Sequence, residues 1–151
     1  MRFVLNDGGR QAAGFKGSAG DCVARAVAIA SGRPYGEIYE RLAAGNAGQR
    51  SSQRERISKA RTGRKTARHG IFTRRLWFKE LMAELGFEWV PTMHIGSGCT
   101  VHLREGELPQ GRLVVGVSKH MTAVIDGVLH DTYDCSNAGT RCVYGFWRAA
   151  A

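Results

Sequence analysis

The sequence predicts an α+β fold, and two patterns in it carry that expectation. Apolar residues recur at helical spacing up to Gly86, and beyond it the chain turns to short runs rich in β-branched and aromatic residues. Helices first and then a run of antiparallel strands is the α+β arrangement.

The first helix is expected in DCVARAVAIASG, with Asp21 as N-cap, Cys22 in the first turn and Gly32 just past the end. Its residues from Val23 to Ala30 are apolar nearly all round, which predicts a buried helix whose alanines admit close neighbours. RPYGEIYERL predicts a second helix, since Pro34 suits a first turn and Tyr35, Ile38, Tyr39 and Leu42 share one face. A third is expected in TRRLWFKELMAELG, burying Trp77, Leu81, Met82 and Leu85 and stopping at Gly86. FEWVPTM predicts a short strand and VHLREGELPQG a loop or single turn. RLVVGVS, HMTAVID, VLHDTYD and TRCVYGFW then predict four more strands.

At 151 residues and 43% hydrophobic composition, the chain has the material for one domain, 1–151, with a sizeable core. No apolar run reaches the ~18 residues of a membrane-spanning helix. The opening MRFVLNDGGRQ turns polar early and lacks the apolar stretch of a secretory signal, so a cytoplasmic protein is expected. In that compartment Cys22, Cys99, Cys135 and Cys142 are expected as free thiols. Cys99 and Cys142 read as small buried apolar residues. No CxxC, HxxxH or CxxH spacing is present, so no metal site is expected.

The net charge of +9 is concentrated in one place: ten Lys/Arg against the single acid Glu55 fall between Arg50 and Arg75. With Ile57 as its only large apolar residue before Ile71, the segment from about 46 to 70 reads as a basic insertion, mobile or a solvated helix. Arg50, Arg54, Arg56, Lys59, Arg61, Arg64, Lys65 and Arg68 are the candidates there for binding nucleic acid or another anion by counterion release. No aromatic lies between Arg50 and His69, so base stacking is not expected in it. An acidic host protein, an anionic cell-wall polymer and plain solvation are the other readings.

The residues with chemical potential are elsewhere. A helix N-terminus stabilises a thiolate through free N–H groups and the macrodipole, and Cys22 stands there after the glycine-rich approach GFKGSAGD. Its position alone is equally consistent with a buried cysteine that opens an Ala-rich helix. His120 adds a partner, because it begins the strand HMTAVID. Asp126-Gly127 signals a two-residue hairpin turn. That turn sets Ile125 opposite Val128 and Thr122 opposite Asp131, so His120, Thr122, Asp131 and Tyr133 share a face. Asp131 becomes the diagonal neighbour of His120, and Asp134 points away. A histidine oriented by a carboxylate is what a cysteine nucleophile needs. His69, His94, His102 and His130 read as background, and Trp77, Phe87, Trp89, Tyr144 and Trp147 as core.

In this order, GDCVARAVAIA, KHMTAVIDG and VLHDTYD resemble the papain-like cysteine peptidase superfamily, over roughly Gly14 to Phe146 without the basic segment. The likeness is greatest to compact bacterial and phage members such as bacteriocin-processing peptidases and small cell-wall amidases. It implies a nucleophile on a central buried helix packed on an antiparallel sheet. Cys22 is then the nucleophile, His120 the base and Asp131 its orienter, acting on a peptide, isopeptide or amide bond without metal or organic cofactor. The family's oxyanion glutamine stands about six residues before the cysteine, where this chain has Lys16. Gln11 is the nearest glutamine, and a lysine or a backbone amide is the alternative. The other reading, from a different class, is a catalytically weak phage or mobile-element protein that works through its basic segment. Virion association with action on peptidoglycan is a third.

Overall fold

A computed structural model describes residues 1–15, 21–48, 71 and 73–150. Among them are three helices, α1 (Cys22–Ser31), α2 (Tyr35–Gly48) and α3 (Leu76–Glu84), and six strands in one mixed sheet. The strands are β1 (Arg2–Leu5), β2 (Phe87–Pro91), β3 (Arg112–Val117), β4 (His120–Ile125), β5 (Val128–Asp131) and β6 (Val143–Ala149), in the order β1-β5-β4-β3-β6-β2. The fold is α+β.

The strands from β5 to β2 are antiparallel neighbours, as expected, but β1 joins the far edge parallel to β5. The sheet is therefore mixed. RFVL was not among the expected strands, because four residues at a chain start carry too little periodicity to register. Their ladder comes from a partner remote in sequence, with Leu5 beside Asp131 and the Asn6 N–H donating to the Asp131 carbonyl at 2.8 Å.

The β4–β5 hairpin has the anticipated register, with Ile125 opposite Val128 and Ala123 opposite His130. Its turn residues Asp126 and Gly127 both have positive φ, 49° and 78°. That is the type I′ geometry that suits the twist of the flanking strands.

Both faces of the sheet are covered. On one, α1 lies across β4 and β3 and forms a core of Val27, Ile38, Leu42, Phe78, Met82, Ala123 and Trp147 with α2 and α3. On the other, the connections before β3 and before β6 bring Leu103, Leu108 and Cys135 onto Leu113, Val115, Val124, Leu129 and Phe146. The alanines of α1 are buried from Ala24 to Ala30, and they are what allow the helix to lie this close to β4.

Several local expectations are corrected. Helix α3 buries Phe78 completely, while Trp77 and Leu85 are only partly covered. The Trp77 ring instead lies against Gly45 of α2, where a Cβ would come within 2.2 Å of it. Helix α2 runs through Asn46, which is buried, to Gly48, so the basic segment starts no earlier than Gln49. Cys99 and Cys142 are joined in a disulfide, not two buried thiols. The pair was invisible in sequence because the chain brings them together only by folding 43 residues back on themselves. No helix among the described residues is long and apolar enough to cross a membrane.

Candidate active site

Cys22 is the first residue of α1, and the first bond along that helix is from the Arg25 N–H to the Asp21 carbonyl at 3.1 Å. The amides of Cys22, Val23 and Ala24 thus have no acceptor within the helix, and this end carries the positive end of the dipole. Asp21 does not cap these amides with its side chain, contrary to expectation. Its buried carboxylate accepts from the Arg25 guanidinium and the Tyr35 hydroxyl and is ion-paired with Arg10 at 2.9 Å. A carboxylate held in the interior by two donors and a second cation is not turned back onto the helix.

β4 begins at His120, after the two-residue turn Ser118–Lys119, and there it enters the same site. The His120 Nε2 and Asp131 Oδ2 are 2.7 Å apart, with both side chains nearly covered. The hairpin register puts the two residues on one sheet face at diagonal positions, which is why they meet. Asp131 also accepts from the Thr132 N–H at 2.7 Å. Tyr133 stands beside the imidazole, ring centres 5.3 Å apart. Asp134 does not take part; it accepts from the N–H and hydroxyl of Ser136 at 3.0 and 2.6 Å.

Cys22 interacts with His120 from the helix side, and both line one cavity. With Nε2 engaged by Asp131, Nδ1 is the ring nitrogen left for the thiol. Burial alone drives the thiol pKa up, but the His120 hydrogen bond and charge, the Met121 N–H and the Arg25 charge outweigh it and bring it below the usual 9.0. Burial likewise opposes a charged imidazole, yet hydrogen bonds to Asp131, Cys135 and Cys22 push His120 up to about 12. Asp131 is lowered: its burial is overcome by His120, Thr122 and the Thr132 amide. The shifts all favour one charge state, a thiolate, an imidazolium and a carboxylate side by side.

The chain matches no protein-family model, no curated protein and no solved structure. Its functional reading rests on this geometry.

Gln11 stays outside the cavity: it is exposed, and its N–H donates to Asp7 Oδ2 at 2.9 Å. The turn that carries it is seated against the flank of α1, where Gly8 abuts the Arg25 carbonyl and Ile29. Lys16 and the eight basic candidates from Arg50 to Arg68 lie outside the described residues.

Three features were not legible beforehand. Arg25 reaches from Asp21 towards Asp131, 3.9 Å from Oδ1, and so links the start of α1 to the His120 partner. The available signal was an arginine within an otherwise apolar helix, since a buried cation needs a carboxylate. Cys135 is buried 3.6 Å from Asp131 Oδ2. Its sulfur and the donor atoms of His120 and Asp131 all lie within 4.8 Å of one another, a set that could hold a thiophilic divalent cation. Trp89, Tyr144, Trp147 and His94 line the cavity as well, whereas the sequence read them as core or background. Trp89 and Tyr144 are about 40% exposed, at 42% and 44%. Trp89 and Trp147 are direct partners across β2 and β6, whereas strict alternation puts Tyr144, three residues before Trp147, on the other face, so the sequence pattern did not gather these rings around one cleft.

Proposed function

We propose that this chain is a papain-like cysteine hydrolase that cleaves a peptide, isopeptide or amide bond, with Cys22 as nucleophile, His120 as acid and base, and Asp131 as the residue that orients His120. The observation that carries this reading is the 2.7 Å bond from His120 to Asp131 in a ring that also faces Cys22 at the start of α1. Three sequence-distant groups with complementary charges and one open cavity are the arrangement that nucleophilic catalysis by sulfur requires.

The Cys22 thiolate attacks the carbonyl carbon and the carbonyl oxygen takes up the electron pair. Amides in the first turn of α1 are placed to donate to that oxyanion, an interaction that gains strength as the charge develops. The C–N bond then breaks as His120 gives its proton to the leaving amine, which leaves an acyl thioester on Cys22 and a neutral imidazole. His120 next takes a proton from water as the water attacks the thioester. The acid is released and the thiolate–imidazolium pair returns. Asp131 keeps the ring aimed and favours its charged form throughout.

The test is alkylation by iodoacetamide together with turnover of pooled fluorogenic peptide amides. Wild type should alkylate at Cys22 faster than a free cysteine at pH 6, and C22A and H120A should both abolish turnover. Should H120A alkylate at the wild-type rate, the dyad is not functional and the proposal fails.

A further inference from the structure

The cavity above Cys22 is about 1050 Å³, room for several residues of an extended peptide. Its lining has a one-sided chemistry. Trp89, Met93, Tyr144 and Trp147 supply an apolar wall, while Arg74, Lys79 and Lys119 supply cations, and among the described residues no Asp or Glu lines it. The three cations come from separate parts of the chain: the approach to α3, α3 itself, and the turn before His120. Each is exposed, and none is ion-paired among the described residues. A cleft of one sign with apolar walls concentrates ligands of the opposite charge.

Lys119 has a second peculiarity. Its φ is 55°, in the left-handed region where glycine or asparagine is the easier choice, and it directly precedes His120. A lysine is kept at this strained position, where it lines the cavity immediately before His120. The apolar wall is built as deliberately, for Trp89 lies over Gly145, where any Cβ would come within 2.4 Å of the indole, and tilts against Trp147 with ring centres 5.2 Å apart.

Resting on the hydrolase reading, we propose that the substrate is an acidic peptide with a large apolar side chain near the scissile bond, its carboxylates engaged by Arg74, Lys79 and Lys119. The apolar side chain seats against Trp89 and Tyr144. The carboxylates sit across the cleft, close to His120 and the α3 side.

Binding and cleavage separate this claim from the one it rests on. Peptide pools with a central Leu or Trp flanked by Glu, Gln or Lys, and other positions randomised, are titrated against C22A by fluorescence anisotropy. The same pools are offered to wild type for cleavage. The Glu pool should bind C22A about tenfold more tightly than the Lys pool at low salt, with the margin shrinking as salt rises. The K79E/K119E pair on C22A should reverse that order, whereas R2E/R33E, at exposed residues that are not among the lining, should not. Equal binding of the pools, binding of none, or an unchanged order in K79E/K119E overturns the proposal. A single-stranded oligonucleotide that displaces the Glu pool only when Lys79 and Lys119 are present would also overturn it, in favour of a phosphate backbone. If the Glu pool binds as expected while wild type neither cleaves it nor alkylates rapidly, the hydrolase reading fails and the recognition stands.

Discussion

His120 has to be charged although its side chain is nearly covered, and Asp131 makes that state the stable one. Burial disfavours the imidazolium, but the Asp131, Cys135 and Cys22 contacts raise its pKa from 6.5 to about 12. Cys22 moves the other way, below 9.0, because the positive ring, the Met121 amide and Arg25 outweigh its burial. The sign of the pH dependence follows. Alkylation of Cys22 should persist to lower pH than that of a free thiol and should fall on the acid side, as the thiolate takes up a proton. On the alkaline side, activity should persist until His120 loses its proton near pH 12. Asp131→Asn removes the charge that supports the ring, so the alkaline limb should move down into the measurable range and the acid limb should move up. Turnover should drop by roughly 10²–10⁴-fold. A profile of D131N superimposable on wild type would show that Asp131 has no orienting role.

At the scale of the element, α1 both aims Cys22 and holds its neighbours in place. Arg25 is 8% exposed and Asp21 1%, so the ion pair between them is buried beneath the helix start. Breaking such a pair costs about 3–5 kcal/mol where it leaves the buried charge uncompensated, and about 1–3 kcal/mol here, where Arg10 and Tyr35 still face Asp21. Arg25→Met should lower stability by that amount in urea unfolding and raise the apparent pKa of Cys22 alkylation, since one of its cations is gone. The helix also depends on smallness. Ala24 is fully buried in the core shared with β4, and a leucine there has nowhere to go. Ala24→Leu should cost about 1–3 kcal/mol through overpacking. By lifting α1 it should also slow Cys22 alkylation, which the loss of stability alone would not do in a protein that remains folded.

Over the whole molecule, the Cys99–Cys142 disulfide ties the segment after β2 to the start of β6. That segment brings Met93, His94 and Ile95 to the cavity, and Met93 Sδ lies 3.9 Å from Cys142 Sγ. Closing a loop of 43 residues restricts the unfolded chain by about 4 kcal/mol on the entropic account. The C99S/C142S pair should therefore unfold more easily under oxidising conditions by about that amount, and should equal wild type in the presence of dithiothreitol. The same substitution should raise KM more than it lowers kcat, because the linked segment borders the cavity and does not touch His120.

The sequence by itself determined what depends on neighbours along the chain. The all-apolar period placed α1 and Cys22 at its start, and Asp126-Gly127 set a turn of two positive-φ residues, which fixed the register that pairs His120 with Asp131. Both are local, because a helix needs only residues three and four apart and a hairpin only its turn. Tertiary structure decided the rest. β1 exists because β5 offers it a ladder, Asp21 faces Arg10, Arg25 and Tyr35 in place of its own helix amides, and Cys99 finds Cys142 only after the chain has returned. The rings of Trp89 and Tyr144 read as core in the sequence, and only the register of β2 on β6, with the shift in the β3–β6 ladder beside Tyr144, brings both to one open cavity. Contacts between residues far apart in sequence leave no periodic trace, since the loop that joins them can have almost any length and composition.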